Sequence, residues 1–100
     1  MDTRRMERLG LDTSVIGMGC WQIGGSWGEV PESDALATLH AAADAGVTFF
    51  DTADVYGNGR SEQLVGRFRR ERPAGSVFVA TKMGRRADPH VAGAYTLDNF

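Results

Sequence analysis

Apolar positions along this chain alternate between two periods. Between Pro31 and Gly46, Leu36, Leu39 and Ala43 recur at helical spacing. Pro31 and Ser33 suit the start of that helix, and Gly46 suits the left-handed residue that ends one. The run "VTFFD", Val47–Asp51, is short, β-branched and aromatic, and reads as a buried strand. A second helix is predicted over Ser61–Arg72, "SEQLVGRFRRER", with Ser61 as its cap and Leu64, Val65 and Phe68 as its inner stripe. Glu62 near its start and Arg69, Arg70 and Arg72 near its end complement the helix dipole. Gly66 costs such a helix roughly 1 kcal/mol relative to Ala, which suggests close packing on a sheet. Pro73 stops the helix, and "SVFVATK", Ser76–Lys82, is the next strand.

The segment before these, "RRMERLGLDTSVIGMG", reads as two extended pieces around a turn at Gly10 to Asp12, a β-hairpin. Its second piece runs into a glycine-rich loop, "GCWQIGGSWGEVP". After Lys82 come a polar loop, "MGRRADPHVAGAY", and "TLDNF", the first turn of a third helix. Strands that alternate with helices and are apolar on both faces belong to a parallel sheet, so the fold class is α/β: three parallel strands, two helices and the start of a third. Three parallel strands leave two apolar edges uncovered, and Phe100 falls inside an uncapped helical turn. On this reading the chain is the N-terminal part of a longer protein, or a truncated one.

Composition narrows the function. The chain has 42% hydrophobic and 24% charged residues, a net charge of −2 and a pI near 5.6. A mildly acidic balance argues against a general binder of nucleic acid or anionic membrane. No run approaches the roughly 18 apolar residues of a membrane span, and "MDTRRMERLG" lacks a signal peptide's apolar core, so a cytoplasmic location is expected. Cys20 is the single cysteine, which excludes an internal disulfide and a thiolate metal cluster. Of eleven basic residues only Lys82 is a lysine; its compact head fits tight sites that a guanidinium does not.

Lys82 closes one predicted strand and Asp51 another. In parallel α/β folds the carboxyl ends of strands face the active site. Neighbouring strands lie about 4.8 Å apart, so the two side chains meet if both point the same way. A carboxylate buried beside apolar residues needs such a partner. By itself this describes an ion pair at a sheet end. Tyr56, on the loop that begins at Asp51, adds a proton donor. A free phenol titrates near 10 and is a reluctant acid at pH 7, but a nearby ammonium favours its anion and suits it to general acid catalysis.

These residues resemble the aldo-keto reductases. "VIGMGCWQIGG", "DTADVYGNGRSEQLVG" and "VFVATKMG" occur in the family's order, and the likeness extends from Arg5 to Lys82. It implies the N-terminal portion of a (β/α)8 TIM barrel preceded by a β-hairpin, with residues 1–100 an incomplete barrel domain. It also implies reduction of an aldehyde or ketone by hydride transfer from NADPH, less often NADH. The family's catalytic Asp, Tyr and Lys fall by motif on Asp51, Tyr56 and Lys82, with Tyr56 as proton donor. The segment matching "GCW" approaches the nicotinamide in the family, which implicates Cys20, Trp21 and Asp51 in cofactor binding, and Trp21 and Tyr56 beside the substrate. Many relatives have Thr where Cys20 stands. Trp21 and Trp27 suit an apolar substrate pocket, or packing at the barrel mouth.

The family's fourth catalytic residue, a His after the fourth strand, and its adenosine-phosphate site have no counterpart before Phe100. His90, in a polar loop, and His40, near the polar side of the first helix, read as solvent-exposed. Other motifs fail: "GMGCWQIG" has Gln22 at the third glycine's place, and "GNGRSE" lacks the Gly-Lys-Ser/Thr of a phosphate loop. Asp51, Asp54 and Glu62 sit in poor company for a metal beside Lys82 and Tyr56, so none is expected. The arginines from Arg67 to Arg72 read as a solvated helix end rather than a nucleic-acid patch. A small-molecule carbonyl is the expected partner, and the chain alone is expected to be inactive. The alternatives are an NADP-binding regulatory or redox-sensing subunit with little turnover, and a non-functional remnant.

Overall fold

The computed structural model describes residues 1–25 and 28–99; Trp27 and Phe100 lie outside the described residues. Strands β1 (Thr3–Met6) and β2 (Leu11–Ser14) pair antiparallel, with Met6 opposite Leu11. The turn between them is a 3-10 turn, Glu7–Leu9, closed by Gly10 at φ 64°. Asp12 therefore lies within β2, opposite Arg5, rather than in the turn. Helical turn geometry satisfies backbone groups earlier than the glycine alone suggests.

Three further strands, β3 (Gly17–Gly19), β4 (Phe49–Asp51) and β5 (Phe78–Ala80), form a parallel sheet in that order, with β4 central. Helix α1 (Glu32–Asp44) joins β3 to β4, and α2 (Arg60–Arg70) joins β4 to β5. The chain is thus an α/β unit with a parallel sheet and two helices. It forms a slab of 41 × 37 × 20 Å, one sheet layer and one helix layer thick.

Side-chain alternation divides the sheet. In register, Met18, Phe50 and Val79 face the helices, where Phe50 and Phe68 pack with ring centroids 4.9 Å apart. Leu36, Leu39, Leu64, Val65 and Phe68 complete that core with Val47 and Val77. Burial of these apolar faces drives the docking of both helices. The opposite face carries Gly17, Phe49 and Phe78 in one row and Gly19, Asp51 and Ala80 in the next. Phe49 and Phe78 stack there at 5.4 Å, half-buried. Gly17 makes room: a Cβ on it would stand 2.9 Å from the Phe49 ring.

The helix ends differ from the sequence reading. α1 starts after Pro31, with Ser33 inside its first turn, and Gly46 follows its end at φ 102° as expected. α2 is entered through Gly59 at φ 98°, and Ser61 is not its cap. Ser61 is fully buried, donates to the Cys20 carbonyl at 2.7 Å and lies 2.7 Å from the Thr52 hydroxyl. One hydroxyl thus links α2 to the ends of β3 and β4. Ser61→Ala strands two buried polar groups and is expected to cost about 1–3 kcal/mol, measured by chemical denaturation of the natural polypeptide carrying this sequence. Gly66 has no packing role among the described residues, because a Cβ there meets only the Arg70 guanidinium at 3.6 Å. "TLDNF" begins as a 3-10 turn, Leu97–Asn99.

Both helices are also joined by charge at their exposed faces. Arg67 bonds Glu71 and Glu32, and Glu71 accepts from His40 at 2.8 Å. His40 is therefore a partnered residue packed edge-on against Phe68, not a free surface imidazole.

Candidate active site

Lys82 lies two residues beyond Ala80, the last residue of β5, and its side chain reaches Asp51 at the end of the central strand. Lys82 Nζ donates to Asp51 Oδ1 at 2.7 Å, to the Thr52 carbonyl at 2.9 Å and to Tyr56 Oη at 3.4 Å. The ammonium also stands 5.2 Å from the centre of the Tyr56 ring. Asp51, Thr52 and Tyr56 therefore share one nitrogen.

The backbone fixes this arrangement. Thr52 N–H donates to the Ala80 carbonyl at 2.8 Å, Asp54 N–H to the Lys82 carbonyl at 3.2 Å, and Cys20 N–H to the Asp51 carbonyl at 2.8 Å. The 3-10 turn Gln22–Gly24 packs against the tyrosine loop. A Cβ on Gly24 would stand 2.7 Å from Gly57 N, and one on Gly57 only 2.2 Å from Gly24 O. Two glycines thus let the first loop and the tyrosine loop touch backbone to backbone. Arg60 holds the first loop further along, through the carbonyls of Ile23 at 2.9 Å and of Val30.

The acidic pair of the sequence is resolved here. Asp51 takes Lys82, and Asp54 takes Arg86, at 3.3 Å between Oδ2 and Nε. The expectation that Asp51 is a buried carboxylate is corrected: its side chain is 43% exposed and that of Lys82 52%. The reason is their position on the sheet face that no helix covers among the described residues. An exposed pair of this kind contributes little to stability, so stability does not explain why the single lysine is placed here.

The bond to Asp51 raises the Lys82 pKa above its ordinary 10.5; partial desolvation opposes this, and the Tyr56 hydroxyl adds to the rise. A raised lysine pKa means that the ammonium's contribution to the pair is fully present below pH 10.5 and is lost as pH climbs through the elevated value. Lys82 is therefore a fixed positive charge throughout the neutral range.

Trp21 lies beside this end of the sheet and is 38% exposed. Cys20, its neighbour, is fully buried among the helix-side core. Burial, and then the nearby Asp51 charge, push the Cys20 thiol up to about 11. A thiol both inaccessible and protonated is expected to resist aromatic disulfide reagents at pH 8 and to react only on unfolding. Rapid labelling of the native protein would show that the core opens at this point. His90 bonds Tyr95 at 2.6 Å in the loop after β5, where it is exposed. Among the described residues no group of three or more His, Cys, Asp or Glu side chains is arranged to hold a metal ion. No described helix is long and apolar enough to cross a membrane.

Residues 15–96 match the model of the Aldo/keto reductase family. The chain belongs to that family. It is 39% identical over 92 residues to the pyridoxal 4-dehydrogenase of Microbacterium luteolum, covering 92% of this chain and 27% of that protein. It is 44% identical over 84 residues to the aldo-keto reductase YhdN of Bacillus subtilis, covering 82% of this chain and 25% of the relative. Among solved structures it superposes on the glycerol dehydrogenase of Gluconobacter oxydans with a TM-score of 0.71 and 43% identity, over 83% of this chain and 25% of that one. This aldo/keto reductase chain thus spans about a quarter of the length of the relatives it matches.

Sequence reasoning brought Asp51, Tyr56 and Lys82 to one place, and the structure brings them there. It missed Ser61, Arg60 and Arg86. Ser61 was signalled only by a hydroxyl at a helix start, where capping is the commoner role. The two arginines carried no signal among so many, because their partners, backbone carbonyls, the Asn58 amide and the Asp54 carboxylate, are distant in sequence.

Proposed function

We propose that the chain is the first part of an NADP-dependent carbonyl reductase, forming the hairpin and opening βα units of a (β/α)8 barrel over residues 1–100. The observation that carries this reading is the single lysine held between a carboxylate at 2.7 Å and a phenol at 3.4 Å at the carboxyl end of a parallel sheet. Asp51 holds Lys82 in place and keeps it charged. Lys82 in turn favours the anion that remains when Tyr56 gives its proton to a carbonyl oxygen. That transfer balances the negative charge that develops on the oxygen as its carbon is reduced.

The face around Asp51 fits a flat ring. Gly19, level with Asp51, has no side chain, and nothing lies within 4 Å of where its Cβ would stand. Trp21 and Asp51 would border NADPH there, with Cys20 acting through the backbone it anchors rather than through its buried thiol. When bound, NADPH supplies the hydride. Trp21 and Tyr56 would flank a small aldehyde or ketone. NADPH is favoured over NADH by the family, no metal is invoked, and the reading places the protein in the cytoplasm.

The test is a cofactor oxidation assay on the natural polypeptide carrying this sequence, with NADPH and NADH and a panel of aromatic and aliphatic aldehydes. Carbonyl-dependent oxidation of NADPH is expected. Tight nucleotide binding without turnover on any carbonyl would instead favour the redox-sensing role, and neither binding nor turnover would sink both.

A further inference from the structure

Tyr56 sits on the loop between β4 and α2, outside any ladder, so its hydroxyl is only as well placed as that loop. Arg86 reaches this loop from the segment after β5 and makes three contacts with it. Nη2 donates to the Asp54 carbonyl at 2.6 Å, Nε lies 3.3 Å from Asp54 Oδ2, and Nη1 donates to Asn58 Oδ1 at 2.9 Å. Asp54 and Asn58 are two residues before and two after Tyr56. We propose that Arg86 is a positioning residue for Tyr56, gripping both flanks of its loop and tying them to the segment that carries Lys82.

The geometry favours this over a surface ion pair of no consequence. Lys82 and Arg86 belong to one short segment, and Lys82 also accepts the Asp54 N–H at its carbonyl. Two tethers therefore join that segment to the tyrosine loop, in addition to the Gly24–Gly57 contact. The loop that carries Tyr56 is thus held by separate segments, and Tyr56 Oη stands 3.4 Å from Lys82 Nζ. Asn58 has a left-handed backbone, φ 54°, which Asn tolerates better than most residues and which turns the chain toward α2. Its amide oxygen is the outer anchor. The role needs a planar fork: a guanidinium presents several donors in fixed directions, whereas an ammonium is a point charge that cannot serve both flanks at once. The Arg86 side chain is half exposed, so its contribution to global stability is small and its effect on placement can be measured separately.

The proposal rests on Tyr56 being the acid, and the experiment separates the two. In the natural polypeptide, kcat, carbonyl KM, NADPH affinity, melting temperature and the pH profile are compared for Arg86→Ala, Arg86→Lys, Asn58→Gly and Tyr56→Phe. Arg86→Ala is expected to lower kcat roughly 10- to 100-fold, the scale of an ångström misplacement. NADPH affinity and KM are expected to stay within about twofold, the pattern of an interaction used only in the transition state. The plateau of the pH profile falls without a shift of its limbs, and Arg86→Lys restores only part of the loss. In a Tyr56→Phe background, Arg86→Ala has no further effect, because the group it places is gone. Equal losses in both backgrounds, shifted pH limbs, or an Arg86→Ala enzyme within threefold of wild type would each overturn the proposal. Were Tyr56→Phe itself near wild type, the acid would be misassigned and this proposal would fall with it. If Arg86→Ala does not fold, Asn58→Gly removes one anchor while keeping the left-handed backbone and the charge: a severalfold drop in kcat at unchanged melting temperature supports the role, and an unchanged kcat overturns it.

Discussion

Tyr56→Phe is expected to lower carbonyl reduction by about 10²–10⁴-fold in the natural polypeptide, the usual worth of a general acid. The substitution removes one oxygen and keeps the ring, so the 5.2 Å approach of the ammonium to the ring centre is retained. Nucleotide affinity is expected to be nearly unchanged, because nothing places the hydroxyl among the residues that would border NADPH. Lys82 keeps its bonds to Asp51 and to the Thr52 carbonyl and stays charged. Steady-state kinetics with a generic aldehyde, alongside nucleotide titration, make the measurement. A mutant within threefold of wild type would show that the proton comes from elsewhere, and the 3.4 Å contact would then be packing alone.

Residues 1–100 expressed alone are expected to give no measurable carbonyl reduction and to be poorly soluble. In the sheet order β3-β4-β5, both outer strands present unpaired edges among the described residues, a template for association. Among the described residues no helix covers the face bearing Phe49, Phe78, Asp51 and Lys82, and Val15, Ile16, Met83 and Leu97 are exposed. The radius of gyration is 14.9 Å, against about 13 Å for a compact domain of this length. A flat slab leaves too little core to offset roughly 1–2 kcal/mol of backbone entropy per ordered residue. On the proposed reading, a catalytic histidine and an adenosine-phosphate site would also have to come from outside these residues. Size-exclusion chromatography followed by an NADPH oxidation assay gives the answer. A sharp monomer peak with turnover would overturn both expectations. A soluble but inactive monomer would spare the chemical argument and show that half a layered core is more stable than its area suggests.

Much of this protein was legible from one dimension. The period of apolar residues marked both helices and the strands ending at Asp51 and Lys82, because burying one face of each element is a local demand on sequence. The single lysine, the strand-end aspartate and the tyrosine could be joined before any coordinates, since neighbouring parallel strands put their ends side by side. What stayed hidden depended on distances between segments. Ser61 looks like a cap until α2 is docked, when its hydroxyl reaches Cys20 and Thr52 instead. Gly24 and Gly57 look like loop punctuation until their backbones touch. Asp51 reads as buried from its apolar neighbours, yet alternation turns it to the uncovered face, where it is half exposed. Arg86 finds Asp54 and Asn58 across a sequence gap that no local pattern spans. Propensity and periodicity act through neighbours along the chain and decide the elements. The tyrosine's surroundings are set by contacts that exist only after the loops have closed over the strand ends.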